Sequence, residues 1–424
     1  MRERQQAALG SNEIDPGVPQ TRQSRIKRQL PSLTEVARFA GPAFTPKRGA
    51  RWARVLTVAD FRKLAKRRTP RPVFDYVEGA AEQELSVQRS VEAFQCVVFH
   101  PHVLRNVGSV DMSTTILGRR AAIPLVLAPT GFTRMMRTEG EPAVARAAAR
   151  AGIPYALSTL GTTSIDRLRS EAQDTELWFQ LYLSRDHGRS RELLDRAKEN
   201  RYTTLVVTVD VPVAGGRLRD FYNGLTLPPT LTLRTLLAMA SKPQWLFDTL
   251  TTEPLAFEAL GAGKDLVSLF KNAFDPGVTF ADLEWLRAQW RGSLVVKGIQ
   301  RLDDAKAAAA AGVDAIAVSN HGGRQLDRAA TPLVLLPRVV EGIAGKAEVY
   351  LDGGIRSGAD AAAAVALGAR AAFIGRPYLY ALMAGGESAV DHLLKLFADD
   401  YARTLKLLGV SRTADLSPDL VTVT

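Results

Sequence analysis

Cysteine is almost absent from this chain, because Cys96 is the single one among 424 residues. One cysteine excludes a disulfide within the chain and a metal centre built from thiolates, and it is typical of a reducing compartment. No apolar run is long enough to span a membrane, and charged residues stand near the N-terminus, where a secretory signal needs an apolar core. The sequence therefore predicts a cytoplasmic protein without a metal site.

Acidic residues are scarce in the first part of the chain. Residues 1–72 contain 17 Lys or Arg and only 5 Asp or Glu, which is a net charge of +12. Since the net charge of the whole chain is +11, the other residues sum to about −1. Residues 1–56 also contain several prolines and little periodicity, so we predict a basic, partly disordered N-terminal extension. Its positive charge indicates either attachment to an anionic surface, such as the inner face of a membrane, or a solubilising arm. Aromatic residues are not interleaved with the charges, which disfavours nucleic-acid binding.

From residue 57 the pattern becomes regular, and after Pro124 short apolar segments alternate with alanine-rich or amphipathic segments. Alternation of this kind requires a parallel sheet, and eight units favour an α/β fold of the (β/α)8 TIM-barrel type over an open doubly wound sheet, which periodicity alone does not exclude. We therefore predict a barrel domain over residues 57–424. The eight predicted strands are Leu125 to Ala128, Pro154 to Ser158, Trp178 to Leu183, Leu205 to Asp210, Leu294 to Lys297, Ile316 to Ser319, Glu348 to Asp352 and Ala371 to Ile374.

One interval interrupts this pattern, since about 80 residues separate the fourth and fifth predicted strands. We predict an insertion there, at about residues 220–284. Two apolar segments in it, beginning at Leu231 and at Trp245, have few charges and are predicted as short helices. They would pack on the barrel or on another subunit, or they would contact a membrane surface.

The segment from Ala315 to Asp327 carries the most chemically informative residues. An apolar run ends at Ser319, and His321 and Arg324 follow on a turn that contains two glycines. Such a turn presents side chains at the end of a buried strand. His321 is a candidate acid or base and Arg324 a candidate clamp for an anion, although a histidine beside glycines can also serve only to cap a strand.

Polar side chains and glycines recur at the ends of nearly all the predicted strands. In a barrel these C-terminal ends meet at one face, where active sites gather, so their shared position predicts a functional site. The residues concerned are Pro129, Thr130, Gly131, Ser158, Gln180, Tyr182, Thr208, Asp210, Lys297, Ser319, Asp352, Gly353, Gly354, Arg356, Gly375 and Arg376.

The last two strand ends indicate the ligand. Asp352 to Arg356 and Gly375-Arg376 place glycines and arginines on the two loops where barrels commonly hold a phosphate. A Rossmann glycine fingerprint is missing, which disfavours a dinucleotide bound in the usual mode. Lys297 would be costly to bury without an anionic partner, so it would face either a flavin ring, which becomes more negative on reduction, or a carbonyl substrate as the Schiff-base lysine of an aldolase.

From about Thr57 to the C-terminus the chain resembles the FMN-dependent L-2-hydroxy-acid oxidase and dehydrogenase family, and within it the bacterial L-lactate dehydrogenases. The resemblance rests on motifs that occur in the family's order. They are Phe74-Asp-Tyr, Ala128-Pro-Thr-Gly, Phe179-Gln-Leu-Tyr, Thr208-Val-Asp, Val296-Lys-Gly, Ser319-Asn-His-Gly-Gly-Arg-Gln-Leu-Asp, Asp352-Gly-Gly and Ile374-Gly-Arg.

The resemblance implies oxidation of an L-2-hydroxy acid, with L-lactate as the expected substrate, to the 2-oxo acid. His321 would be the base, Asp210 would stabilise the imidazolium that forms, and Tyr182 would orient the substrate hydroxyl. Whether electrons leave as a hydride or through a carbanion is left open by these residues. The expected cofactor is FMN.

The resemblance also assigns the binding residues. The substrate carboxylate would be fixed by Tyr76, Arg217 and Arg324, since a planar guanidinium suits a carboxylate. The flavin ring would be held by Thr130, Ser158, Gln180, Thr208, Lys297 and Ser319, with Pro129 and Gly131 beside it, and the phosphate end by Asp352, Gly353, Gly354, Arg356, Gly375 and Arg376.

Several expectations concern specificity and partners. Gly131 stands where oxidase members often have alanine, which favours a dehydrogenase over an oxidase that uses oxygen. The chain lacks the haem domain of the flavocytochromes, so an external acceptor is expected, whether a quinone, a cytochrome or oxygen. The family also implies a homo-oligomer, a tetramer. The alternatives are the same chemistry on a larger or peptide-derived substrate, which the intact Arg217 and Arg324 disfavour, and a catalytically silent scaffold for a membrane or a partner.

Overall fold

A computed structural model describes residues 52–183, 187–224, 233–260 and 274–424 of the chain. The basic extension, for which we predict partial disorder, lies outside the described residues except for residues 52–56. The domain boundary predicted at residue 57 stays a prediction.

Eight parallel strands form a closed barrel, which confirms the predicted fold. In chain order the strands are β1 (Val97–Phe99), β2 (Thr114–Ile116), β3 (Arg119–Ala121), β4 (Leu125–Leu127), β5 (Tyr155–Ser158), β6 (Leu177–Leu181), β7 (Thr204–Thr208), β8 (Ser293–Ile299), β9 (Ala315–Ser319), β10 (Glu348–Asp352), β11 (Ala371–Ile374) and β12 (Val421–Val423). Strands β4 to β11 pair in sequence order around the barrel, and β11 pairs with β4 to close it. The alternative of an open sheet is thereby excluded.

The predicted strand positions are confirmed with shifts of one or two residues at most ends. The largest difference is in β8, which continues past Lys297 to Ile299 through an irregularity in its pairing with β9. Gly298 lies at this irregularity with a φ of 110°, a value that side chains other than glycine rarely adopt.

Helices alternate with the barrel strands and cover the barrel. The α-helices are α1 (Val58–Arg68), α2 (Arg71–Glu78), α3 (Leu85–Gln95), α4 (Thr133–Met136), α5 (Gly140–Arg150), α6 (Ile165–Glu171), α7 (His187–Glu199), α8 (Leu218–Tyr222), α9 (Leu233–Ala240), α10 (Pro243–Leu250), α11 (Phe280–Gln289), α12 (Leu302–Ala310), α13 (Pro332–Ile343), α14 (Gly358–Ala366), α15 (Arg376–Gly385) and α16 (Glu387–Leu408). Short 3-10 turns occur at Glu258–Leu260, His321–Gly323, Thr413–Asp415 and Pro418–Leu420.

Helices α1 and α2 begin at recognisable sequence signals. Thr57 caps α1 and shares a capping box with Asp60, and α2 begins one residue after Pro70. Helix α1 packs against α15 at the end of the barrel, with Phe61 fully buried. Helix α2 therefore reaches the C-terminal face of the barrel, where it brings Tyr76 to the site described below.

Aromatic side chains fill the interior of the barrel. Trp178, Tyr350 and Phe373 project inward from three strands and pack with ring centroids 5.9 to 6.4 Å apart. Ile116 and Ala121 of the β2–β3 hairpin join the same buried cluster. The barrel is therefore a packed core, as is general for this fold.

The insertion after β7 contains the two predicted helices, as α9 and α10; the first two residues of the predicted first helix lie outside the described residues. The indole Nε1 of Trp245 donates to the Met135 carbonyl oxygen at 3.0 Å, which fastens α10 to α4. Leu237, Phe247 and Leu250 stay exposed. Within the described ranges, none of the helices combines the length and the apolar character that crossing a bilayer would require.

Candidate active site

A cleft of about 1220 Å³, part of it open to solvent, lies at the C-terminal ends of the barrel strands. Two of the predicted site residues, Asp210 and Ser319, lie just behind its surface and bond to residues that line it. The others all line the cleft: Tyr76, Pro129, Thr130, Gly131, Ser158, Gln180, Tyr182, Thr208, Arg217, Lys297, His321, Arg324, Asp352, Gly353, Gly354, Arg356, Gly375 and Arg376.

A buried ion pair forms one side of the cleft floor. The Lys297 Nζ lies 2.7 Å from Asp352 Oδ2, and the Ser319 hydroxyl accepts from Lys297 at 3.2 Å and donates to Asp352 at 2.6 Å. Burial alone would lower the pKa of Lys297, but the Asp352 carboxylate outweighs it and the pKa is raised. Burial likewise raises the pKa of Asp352, and Lys297 outweighs it so that the pKa is lowered. Both groups are therefore charged, and a fixed ammonium faces the cleft.

Gln180 presents an unused hydrogen-bond donor to the same floor. Its Oε1 accepts from the Ser158 hydroxyl at 3.1 Å and from the Thr159 backbone N–H at 3.2 Å, which fixes the orientation of the amide. Its Nε2 is buried and has no hydrogen-bond partner among the described residues. Because a buried donor without a partner is costly, this atom indicates a ligand acceptor in the cleft.

Two loops with glycines and arginines close the opposite end of the cleft. Gly353 and Gly354 have φ values of 116° and 87°, and a Cβ at Gly354 would collide with the Ser90 carbonyl oxygen. Arg356 lies on the same loop, and α15 begins at Arg376 directly after β11. Backbone N–H groups and a helix N-terminus at this place suit a phosphate.

Arg376 has a structural task that the sequence did not predict. Its Nε donates to the Val77 carbonyl oxygen, its Nη1 to that of Gly322 and its Nη2 to that of Gly79, each at 2.8 Å. Burial lowers its pKa. The side chain thus joins the end of α2 and the turn after β9 to the start of α15, while it also lines the cleft.

His321 and Asp210 form a hydrogen-bonded pair at the centre of the face. His321 Nδ1 lies 2.9 Å from Asp210 Oδ1, and Asp210 Oδ2 is buried without a partner among the described residues. Gly298 makes this contact possible, since a Cβ there would lie 2.6 Å from Asp210 Cγ. With Nδ1 bonded to a carboxylate, the ring presents Nε2 for proton transfer. The alternative in which the histidine only caps the strand does not account for this pair.

Two guanidinium groups converge on Tyr76. Arg324 lies 4.9 Å and Arg217 5.4 Å from the centroid of the Tyr76 ring. Burial, followed by the nearby charge of Arg217, lowers the pKa of Arg324 to about 10. The nearest acidic partner of Arg217 is Asp220, at 3.6 Å. An excess of positive charge in a buried place is relieved by a bound anion, so the arrangement suits a carboxylate.

Tyr182 borders the cleft beside Arg217 and Arg324. Burial, followed by the charge of Asp210, raises the pKa of Tyr182, which keeps its hydroxyl protonated. Phe274 meets the Tyr182 ring edge-on with centroids 5.1 Å apart. A neutral hydroxyl that can donate to an oxygen atom therefore lies near the His321 side of the cleft.

Some lining residues lie outside the predicted set. Val211 and Ala214 follow β7, and Phe274 lies on the returning end of the insertion. Gln325 lines the cleft and holds the loop after β7, because its Nε2 donates to the Asp210 and Val213 carbonyl oxygens at 3.1 and 2.9 Å. Gln325 belongs to the motif that runs from Ser319 to Asp327, but the motif did not assign it a role.

Arg134 in α4 and Leu160 after β5 differ in their relation to the cleft. Leu160 lines the cleft beside Gly131. Arg134 is 5% exposed and points away from the lining, toward Glu258 at 3.3 Å and the Glu253 carbonyl oxygen at 2.9 Å. The partners of Arg134 therefore lie on the insertion, far from Arg134 in the sequence.

The cleft therefore combines an anion site, a histidine–carboxylate pair, a fixed ammonium and a second anion site on glycine loops. In the part of the chain that the structure describes, no cluster of metal-binding side chains occurs. The residues present fit FMN, because the ammonium of Lys297 and the free donor of Gln180 suit the electronegative edge of the ring, and the glycine loops suit its phosphate.

Comparisons with known proteins agree with this geometry. The model of the FMN-dependent dehydrogenase family matches residues 65–423. A Mycobacterium tuberculosis protein named "Putative L-lactate dehydrogenase" is 50% identical over 402 residues, which cover 94% of this chain and 97% of that protein. The L-lactate dehydrogenase of Caulobacter vibrioides is 41% identical over 375 residues, covering 87% of this chain and 97% of its own.

A solved structure with the same fold belongs to a protein described as the monotopic membrane protein (S)-mandelate dehydrogenase. It superposes with a TM-score of 0.84 at 36% sequence identity, and the match covers 88% of this chain and 100% of that one. The similarity extends well beyond the fold, since the identity is high and nearly the whole of both chains is aligned.

Proposed function

Because the chain belongs to the FMN-dependent dehydrogenase family and is an FMN-dependent 2-hydroxy-acid dehydrogenase, we propose that its substrate is L-lactate and that the residues of the cleft divide the chemistry among them. The relatives at 41–50% identity support lactate, since both carry that activity in their names. The product is the corresponding 2-oxo acid.

The FMN site is formed by the floor and the glycine loops. Around the ring we assign Thr130, Ser158, Gln180, Thr208, Lys297 and Ser319, with Pro129 and Gly131 beside it. Around the phosphate we assign Asp352, Gly353, Gly354, Arg356, Gly375 and Arg376. The unused Gln180 donor and the charged Lys297 support the first assignment, and the backbone geometry of Gly353 and Gly354 supports the second.

FMN, when bound, would take up the electron pair that C2 of the substrate loses. The hydroxyl hydrogen and the C2 hydrogen leave as well, and the protein would accept one of them as a proton, from the hydroxyl on the hydride route or from C2 on the carbanion route. The other hydrogen would pass to the flavin or to solvent. His321 accepts a proton at Nε2, and Asp210, bonded to Nδ1, stabilises the imidazolium that results. The protonated hydroxyl of Tyr182 orients the substrate oxygen.

The substrate carboxylate binds between Arg217 and Arg324, with the Tyr76 hydroxyl as a further donor. The lowered pKa of Arg324 supports this role, because it reflects a positive charge that lacks full compensation within the protein. A carboxylate supplies that compensation and is held in a fixed direction by the guanidinium geometry.

The single observation that carries the proposal is the His321–Asp210 pair in the same cleft as Arg217 and Arg324. The test is anaerobic bleaching of the FMN absorption band by a panel of L-2-hydroxy acids. L-Lactate should reduce the flavin fastest. Failure of every small hydroxy acid to bleach it would favour the larger or peptide-derived substrate.

The electron acceptor is external, and oxygen is not the one we propose. Gly131 faces Leu160, and a Cβ at Gly131 would lie 3.0 Å from Leu160 Cβ and 3.2 Å from its carbonyl oxygen. Glycine thus permits the close approach of Leu160, which the alanine that oxidase members often have at this position would crowd. A quinone or a cytochrome is the acceptor that we propose, and slow reoxidation of the reduced enzyme by air is the expected sign.

We also propose that the protein is a homo-oligomer, a tetramer as in its family, and that it binds peripherally to the inner face of the membrane. The exposed Leu237, Phe247 and Leu250 of the insertion support the membrane contact, as does the basic N-terminal extension. The structural neighbour described as monotopic is a precedent for this mode of attachment.

A further inference from the structure

Phe274 is an aromatic residue of the cleft that comes from the insertion. It precedes α11 by six positions, it lines the cleft, and its ring meets that of Tyr182 at an angle of 75° with centroids 5.1 Å apart. Tyr182 is the residue to which we assign the substrate hydroxyl. Phe274 therefore lies on the Tyr182 side of the cleft.

The position of Phe274 is fixed by the chain that follows it. The Gly277 backbone N–H donates to Asp275 Oδ1 at 2.9 Å, which forms a turn directly after the phenylalanine. Thr279 and Asp282 then form a capping box at the start of α11. The turn and the cap together leave the ring little freedom to move away from the cleft.

Helix α11 is in turn fastened to the barrel. His187 Nε2 on α7 lies 3.1 Å from Asp282 Oδ1, and the His187 ring stacks on Trp285 with centroids 3.8 Å apart. Leu283 and Leu286 of α11 are buried. Helix α11, which follows Phe274 in the chain, is thus held against the barrel.

When the carboxylate and the hydroxyl of a 2-hydroxy acid are both held, the direction of its side chain is set. On the proposed function, the carboxylate occupies the arginine pair and the hydroxyl lies between Tyr182 and His321. The apolar residues that line the cleft from the loops after β5 and β7 and from the insertion are Leu160, Val211, Ala214 and Phe274. Of these, Phe274 is the largest, and it touches the tyrosine that holds the hydroxyl.

We propose that Phe274 is a specificity-determining residue, which limits the length of the substrate side chain and favours the methyl group of L-lactate over longer apolar groups. The inference rests on the proposed function. A hydrophobic pocket distinguishes substrates by about 10-fold to 200-fold for each methylene that fits or is excluded, so removal of a whole ring should produce a clear change.

The test compares Phe274→Ala with the wild-type holoenzyme on L-lactate and L-2-hydroxy-4-methylpentanoate. Flavin reduction is followed anaerobically, and the ratio of kcat/KM for the longer to the shorter acid is measured with a dye as acceptor. In Phe274→Ala this ratio should rise at least about tenfold. The matched control is Phe247→Ala, which removes an exposed phenylalanine of the same insertion and should leave the ratio unchanged.

A second variant keeps the test decisive if the alanine variant fails to fold or to hold FMN. Phe274→Leu retains most of the apolar contact, and its ratio should rise in the same direction by a smaller factor. An unchanged ratio in the folded variants, or an equal change in Phe247→Ala, would overturn the inference. Failure of wild-type protein to oxidise either acid would instead refute the proposed function.

Discussion

At the scale of single residues, proton transfer depends on one hydrogen bond. Asp210 accepts from His321 Nδ1, and its second carboxylate oxygen is buried with no other partner among the described residues. The one side-chain hydrogen bond of this carboxylate among the described residues therefore goes to the imidazole. Gly298 is part of this arrangement, because any side chain there would displace Asp210.

Replacement of His321 should separate chemistry from cofactor binding. His321→Gln removes the base, so the rate of flavin reduction by L-lactate should fall by about 10²–10⁴-fold. The FMN content should stay normal, because the Lys297–Asp352 pair and the glycine loops remain intact. Stopped-flow reduction and flavin quantification measure the two effects. A normal reduction rate in this variant would contradict the role of His321.

Arg324→Lys should make substrate binding depend on pH. Burial and the charge of Arg217 lower the pKa of the cation at this place, to about 10 for the arginine itself. Lysine starts from a lower ordinary pKa, so the same surroundings would deprotonate it at a lower pH. The variant should lose affinity for the substrate carboxylate as the pH rises, whereas the wild type keeps it until the pH approaches 10.

The measurement for this variant is KM for L-lactate as a function of pH, with kcat recorded in parallel. Only the charged form of residue 324 binds the anion, so KM should rise earlier on the pH scale for the lysine variant. Parallel KM profiles for the two proteins would show that the carboxylate binds elsewhere.

At the scale of secondary structure elements, the sequence predicted the barrel better than the insertion. Each barrel strand is an apolar run buried on both faces, so eight runs could be counted without knowing their contacts. The site residues at their ends could be placed for the same reason, aided by the family motifs. Phe274 and the partners of Arg134 could not, because they depend on how the insertion returns to the barrel.

The contact between Arg134 and Glu258 illustrates this limit, since the two residues are 124 positions apart. Arg134 is buried, and Glu258 also accepts from the Ser164 backbone N–H at 3.3 Å. Nearby, the Phe257 ring lies 4.4 Å from that of Phe132. The part of the insertion at Phe257 and Glu258 is thereby joined to the loops after β4 and β5.

Glu258→Gln should destabilise the protein measurably. It leaves the buried Arg134 with Glu253 at 3.9 Å as its remaining carboxylate. The loss of unfolding free energy should be below the about 3–5 kcal/mol of a fully buried pair, because Glu258 is itself partly exposed. Urea unfolding of the holoenzyme measures it. Asp415→Asn breaks the exposed pair with Arg412 and, as the control, should cost at most about 1 kcal/mol. Equal losses in both variants would contradict the buried role of Arg134.

At the scale of the whole molecule, charge is divided unevenly between the two parts of the chain. The excess of +12 lies in residues 1–72, and the insertion exposes the apolar side chains of Leu237, Phe247 and Leu250. Both features suit an electron acceptor that resides in or on a membrane, because a contact there would shorten the path from the reduced flavin.

Membrane binding should therefore depend on both lipid charge and salt. The full chain should co-sediment with anionic vesicles and less with neutral ones, since each basic residue near an anionic leaflet contributes on the order of 1 kcal/mol. High ionic strength should weaken the binding. A chain that starts at Ala50 is the control and should bind less. Equal and negligible binding of both forms would indicate a solubilising arm instead.

The packed interior of the barrel has a kinetic consequence. Trp178, Tyr350 and Phe373 fill the space between the strands, and the β2–β3 hairpin adds to the same core. Nothing can pass along the barrel axis, so the hydroxy acid, the oxo acid and the electron acceptor all use one mouth. They must take turns, so double-reciprocal plots at several low acceptor concentrations should give parallel lines, the pattern of a ping-pong enzyme. At high concentration each reactant should hinder the other.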